Sequence, residues 1–311
     1  MSNQFPRRLP SIMLGLACLS ACQTAPLPEA EPAVATTVPF EFVRNEIILD
    51  TAIGDSSPNR FMFDCGVDPS VIDLALAHRL GIPVDESQAE QAAGAGDGQG
   101  LIVMPSSIPD LVIGETGFEP VEALAADLSP FSEVLGFPLA GILGYSFLDG
   151  RVVRIDYPAR QVTIATDAEA LGPPATPVTQ RHVVPLEFSS EEELIPVFDL
   201  VIDGQAVSVT LDSGSSGGLE LFPAAIERLG LEDEKAAGEA VESLGARGQR
   251  TLTEGMLENV GLGPFTIAEL PTRFGDRNIT DHARDGNAGN SLFQNFVLTL
   301  DYVNGEVIFE Q

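Results

Sequence analysis

Phe63-Asp64-Cys65-Gly66 recurs 148 residues later as Leu211-Asp212-Ser213-Gly214, and the fold is read outward from this pair. Ahead of the first lies Val38-Pro-Phe-Glu-Phe42, which returns as Val184-Pro-Leu-Glu-Phe188 ahead of the second. Behind them, Arg79-Leu80-Gly81-Ile82 returns as Arg228-Leu229-Gly230-Leu231, and Val112-Ile113-Gly114 as Gly261-Leu262-Gly263. Gly144 with Ile155-Asp156-Tyr157 matches Gly289 with Leu300-Asp301-Tyr302. A single short match is within chance. A series kept in order, its offset drifting only between 145 and 149, marks an internal duplication.

Each copy opens with strand-like runs, Glu46–Ile53 and Ile195–Ile202. A short helix is expected after each Asp-x-Gly, over Pro69–Leu80 and Pro223–Leu229, each ending in a Leu-Gly cap. Two closing hairpins are expected, Arg151–Tyr157 with Gln161–Ala165 and Phe296–Tyr302 with Glu306–Phe309, turning at Tyr157-Pro-Ala-Arg160 and Tyr302-Val-Asn-Gly305. With 30 Gly, 23 Pro and no Trp, the chain reads as all-β with short helices, in two homologous lobes facing a cleft. The lobes are assigned to 39–165 and 182–311, with the Pro/Ala/Thr-rich stretch 166–181 as linker.

Each repeat sets an Asp directly behind an apolar strand, with small residues after it. Glycine there permits close backbone approach, so two loops can bring two carboxyls together. Carboxyls in contact cannot both ionise, so such a pair shares one proton. The ionised member can take a proton from water while the protonated member donates to a carbonyl oxygen. One Asp-x-Gly is an ordinary turn; two at equivalent places in a duplication point to chemistry.

Asp212-Ser-Gly-Ser-Ser216 resembles the D-[ST]-G-[ST]-S loop of pepsin-like aspartic peptidases, and Asp64-Cys-Gly-Val-Asp68 the D-T-G-A-D of the retroviral type. Gly141-Ile-Leu-Gly144, leading to Val153-Arg-Ile-Asp-Tyr157, is similar to the hydrophobic-hydrophobic-Gly segment that cradles the catalytic loop in bacterial retropepsin-like proteins; its second copy, Asn287-Ala-Gly-Asn-Ser-Leu-Phe293, departs further. The resemblance runs over nearly all of 39–311. It implies Asp64 and Asp212 as the catalytic dyad, with Gly66 and Gly214 permitting the loop geometry. Ser213 would donate across the lobe interface, and Ser216 would bond the dyad's outer oxygen. Asp68 would hold substrate backbone, and the Gly-rich stretches Gly94–Gly100 and Gly245–Gly248 would be flaps over the cleft. Cys65 stands where Thr or Ser is expected, and its thiol is the weaker donor. The implied activity is an endopeptidase needing no cofactor or metal; the alternative is a weak or inactive peptide-binding protein of the same fold. A serine hydrolase fits poorly, since Ser216 lies in no G-x-S-x-G elbow.

Residues 1–22 read as a secretory signal, with Arg7 and Arg8 before an apolar run too short to span a bilayer. Leu19-Ser20-Ala21-Cys22 resembles a bacterial lipobox, making Cys22 the lipidation site. The stretch 23–38 is read as an extended tether. The expected location is the bacterial cell envelope, on the periplasmic side, as an outer-membrane lipoprotein since Gln23 follows the cysteine. Forty-six acidic residues face 16 basic ones, for a formal charge of −30. Such a surface repels phosphate backbones, so nucleic acid is excluded as a partner, while solubility in salt or a taste for basic substrates both fit. The expected partners are a peptide or protein substrate and the membrane, with the protein itself monomeric. Neither the three cysteines nor the three histidines have metal-ligand spacing, and no disulfide framework can be drawn.

Overall fold

Alternation of apolar and polar residues along the strands, cut by glycine and Asn turns, builds three sheets; strand dominates and the helices are short. The structure is a computed structural model, which describes residues 34–190, 194–276 and 284–311. The expected signal segment, Cys22 and the tether up to residue 33 lie outside these residues. Among the described residues no helix is long and apolar enough to cross a membrane.

A six-stranded sheet takes three strands from each half. Its order is Ala35–Pro39, Gln161–Ala165, Val152–Asp156, Val297–Asp301, Glu306–Glu310 and Arg181–Pro185. The closing hairpins therefore meet at the centre, where Val152–Asp156 runs antiparallel to Val297–Asp301. The strand opening each half pairs with the outer arm of its own hairpin. This corrects the tether boundary: residues 35–38 belong to a strand, because Val38 is buried and the backbone is paired along Val162–Ala165.

The other two sheets share one strand order. In the first half Asn59–Phe63, Gly141–Leu143, Ser70–Asp73, Val121–Ala126, Ile102–Ile108 and Glu90–Gln91 are successive neighbours. In the second, Gln205–Leu211, Gly286–Ala288, Leu219–Leu221, Phe265–Phe274, Gly248–Leu262 and Glu239–Gly245 follow in the same sequence. The directions agree as well: parallel, antiparallel, parallel, antiparallel across the first four pairings.

The repeated landmarks have local causes. Gly81 and Gly230 end the helices Leu74–Leu80 and Pro223–Leu229 in the left-handed region at φ 70°, where a side chain would be strained. Asp156 and Asp301 accept backbone N–H groups inside the hairpin turns, from Ala159 at 3.0 Å and Asn304 at 2.8 Å. The first helix is shorter than expected. Ser70–Asp73 is a strand, since it is paired on both sides, and Asp73 caps the helix by accepting from Leu76 N–H. Phe147, Tyr157, Phe293 and Phe309 are fully buried in a core that runs through both halves.

Candidate active site

Asp64 and Asp212 each sit one residue past the end of a central strand, Asn59–Phe63 and Gln205–Leu211, where the chain leaves the sheet. The neighbouring strand holds each loop from beneath. Asp64 N–H donates to Leu143 O (3.0 Å) and Tyr145 N–H to Val67 O (2.9 Å); Asp212 N–H donates to Ala288 O (2.9 Å) and Asn290 N–H to Ser215 O (2.8 Å). Gly144 and Gly289 are needed here, because a Cβ on either would run into the loop backbone it supports. Residues 141–144 in the first half and the less similar 287–289 in the second thus each cradle the Asp-bearing loop of their own half.

The two loops bring the two carboxyls into contact, side chain to side chain. The approach depends on glycine: a Cβ on Gly66 would strike the Asp212 carboxyl, and one on Gly214 the Asp64 carboxyl. Each carboxylate also accepts from its own loop, Gly66 N–H to Asp64 Oδ1 at 2.7 Å and Gly214 N–H to Asp212 Oδ1 at 2.9 Å. Burial pushes both carboxyls up, and the Asp212 charge raises Asp64 further, well above the usual range. A pair in this state titrates as a unit and keeps one proton to higher pH than isolated carboxyls would.

Beneath the dyad, the residues after each aspartate cross between the halves. Cys65 N–H donates to Ser213 Oγ (2.9 Å), the Ser213 hydroxyl reaches Phe63 O (3.2 Å), and the Cys65 thiol reaches Leu211 O (3.4 Å). The sulfur keeps the crosswise pattern at a longer distance. Cys65 and Ser213 are both fully buried, and burial pushes the thiol up to about 12.

Ser216 does not bond the outer oxygen of Asp212. Its carbonyl accepts from Asn45 Nδ2 (3.0 Å) and the Ser291 hydroxyl (2.9 Å), and the outer oxygen is served by Asn287 Nδ2 at 2.7 Å. The geometric reason is that Asn287, on the adjacent strand, already fills that side of the carboxyl. Asp68 is exposed, immediately before Pro69, and partial desolvation of its carboxyl group, then the charge of Glu122, raise it.

Further residues at the site were not legible as such. Glu46 is 9% exposed, and its carboxyl is raised well above the usual range by burial and then by the charges of Asp64 and Asp212. Asn290, fully buried, donates to Ser213 O (2.7 Å), lies 3.4 Å from Glu46 Oε2, and accepts from the Tyr157 hydroxyl (2.7 Å). The available signals were a Glu at the head of an apolar strand and the polar Asn287 where the first copy has Ile142.

The two Gly-rich turns meet backbone to backbone. Gly98 N–H donates to Arg247 O and Arg247 N–H to Ala95 O, both at 2.7 Å, and Leu101 N–H donates to Ala246 O at 2.9 Å. Gly96 has φ 125° and leaves no room for a Cβ against Arg247. Among the described residues no group of three or more His, Cys, Asp or Glu is arranged to hold a metal ion.

This is an acid-protease-like fold: an all-β protein with short helices whose two Asp-bearing loops face each other. A family model described as aspartyl protease matches residues 49–147, the stretch that contains Asp64 and its supporting segment. The match supports an aspartic protease family and, with it, a hydrolase of the peptidase kind. No curated protein matches the chain.

Proposed function

We propose that the protein is an aspartic endopeptidase in which Asp64 and Asp212 together activate a water molecule. The observation that carries this reading is the contact of two raised, half-buried carboxyls at equivalent loop tips. With one proton between them, the ionised member draws a proton from water as its oxygen adds to the peptide carbonyl carbon. The protonated member gives its proton to the carbonyl oxygen. Collapse of the tetrahedral intermediate breaks the C–N bond, and the amine leaves with a proton returned through the dyad. The crosswise Ser213 and Cys65 contacts hold the loops, and the paired Gly-rich turns are read as flaps that part to admit a peptide.

The test is hydrolysis of a varied peptide mixture on the acid side of neutrality. Wild type cleaves, a statine-type transition-state mimic blocks cleavage, and Asp64→Asn and Asp212→Asn each lose it by at least about a thousandfold. Equal failure of wild type and both variants, with peptide still bound, sinks the peptidase reading and leaves a peptide-binding protein.

We further place the protein as a monomer on the periplasmic side of the cell envelope, anchored through Cys22. The lipobox-like Leu19-Ser-Ala-Cys22 supports this. Incorporation of labelled fatty acid that survives Cys22→Ala would rule it out.

A further inference from the structure

Side chains at matched registers differ sharply between the halves. In the second half Thr210, Asn287, Glu220, Arg273 and Glu254 are neighbours across five adjacent strands. They form a polar row: Thr210 donates to Asn287 Oδ1 at 2.5 Å, Arg250 grips Glu220 through two bonds, and Arg273 Nε lies 3.1 Å from Glu254. In the first half the same registers carry Met62, Ile142, Val71, Leu124 and Pro105. Met62, Ile142 and Val71 pack under Leu128, Leu135 and Leu139 in a separate apolar cluster. Thr210 and Met62 each stand two residues before their aspartate, so Asn287 and Ile142 occupy equivalent places beside Asp212 and Asp64.

The consequence falls on the dyad. The Asn287 amide donates to Asp212 Oδ2 at 2.7 Å, and its carbonyl is committed to Thr210, which fixes the amide with its N–H groups toward the carboxylate. An N–H donor stabilises the ionised form of an acceptor-only carboxylate. Ile142 has nothing to donate, and among the described residues no side chain donates to Asp64, whose own side-chain bond runs to Asp212. We propose that Asn287 is a positioning residue that holds Asp212 as the ionised, water-activating member of the pair, leaving the shared proton on Asp64. This rests on the peptidase reading above and deepens it by giving the two aspartates different roles. The other ionisable groups around Asp212 are Asp64, Glu46, Glu220 with its partner Arg250, Cys65 and Tyr157; Arg273 stands beside Glu46 and Glu220. Burial opposes ionisation of Asp212, and the Asn287 amide, the Gly214 N–H and the bond from Asp64 act against it.

The experiment pairs the pH profile of kcat/KM with carbon NMR titration of the aspartate carboxyls, for wild type, Asn287→Ile and Thr210→Val. Asn287→Ile copies the first half. It is expected to move the acid limb up by about one pH unit with KM little changed, and Thr210→Val moves it less in the same direction. In wild type the Asp212 carboxyl ionises first on titration; in Asn287→Ile that order is lost. A uniform loss of activity with an unmoved acid limb, or a wild-type protein in which Asp64 ionises first, overturns the proposal. If wild type cleaves nothing, the peptidase reading falls by itself, and the carboxyl titration still decides the role of Asn287. Should Asn287→Ile fail to fold, wild type and Thr210→Val suffice for both readouts.

Discussion

Cys65 Sγ lies 3.4 Å from Ser213 Oγ although the two residues are 148 positions apart, and each reaches back to the strand that carries the other's aspartate. The contact joins the two halves directly beneath the dyad. It also seals the thiol away from solvent.

Cys65 is therefore expected to resist alkylation. Full burial denies access to reagent, and a thiol pushed up to about 12 holds almost no thiolate at neutral pH. Mass spectrometry of the Cys65 peptide after iodoacetamide treatment should show no label in the native protein and complete label in urea. Rapid native labelling would contradict the packing described.

Cys65→Ser replaces a weak sulfur donor with a hydroxyl at the same place. Stability should change by no more than about 1 kcal/mol, because the shorter side chain gains bond strength and loses apolar contact. Activity should be kept or raised, as read by kcat on a cleaved peptide. A loss of a hundredfold or more would show that the sulfur has a role the geometry does not explain.

Gly214→Ala should abolish function without abolishing the fold. The added methyl would press on the Asp64 carboxyl and force the loops apart. Displacement of a catalytic group by about 1 Å costs on the order of a hundredfold, so kcat should fall at least that far. Gly66→Ala, against Asp212, should do the same.

Stability should decline as pH rises from acid to neutral. Glu46, Asp64 and Asp212 all have folded-state values raised above their unfolded ones, chiefly by burial. The folded state thus binds more protons. The contribution of these groups is complete below the ordinary carboxylate range and is lost as pH climbs through their raised values. Tm should fall across that window, and Glu46→Gln, which cannot ionise, should flatten the fall. A Tm that rises throughout would contradict the burial of these groups.

Arg250 and Glu220 form a buried ion pair, their side chains 5% and 8% exposed. Removing one partner strands a charge in the interior, so Arg250→Ala should cost about 3–5 kcal/mol in urea unfolding. The double replacement Arg250→Met with Glu220→Leu should cost far less, since no charge is left unpaired.

The duplication, the two Asp-x-Gly loops and the hairpins were legible because they depend on local rules. Alternating apolar residues make strands, Gly81 and Gly230 supply a backbone conformation other residues avoid, and Asp156 and Asp301 tie turns within a few positions of themselves. Such features recur wherever the local pattern recurs, so comparing the copies exposed them. The first helix starts at Leu74 and not at Pro69, because pairing of Ser70–Asp73 with two distant strands overrides the local helical pattern.

What the amino-acid order determined by itself was therefore a doubled β architecture with an aspartate at the same place in each copy. Only the tertiary structure decided that those carboxyls touch, that Asn287 and not Ser216 serves the outer oxygen of Asp212, and that Glu46 lies buried beside them. The physical reason is one of range. Strand, cap and turn preferences are set by neighbours a few residues away, whereas a carboxyl's charge state is set by whatever sheet packing brings within a few ångströms, here from residues as far apart in sequence as Glu46 and Asn290.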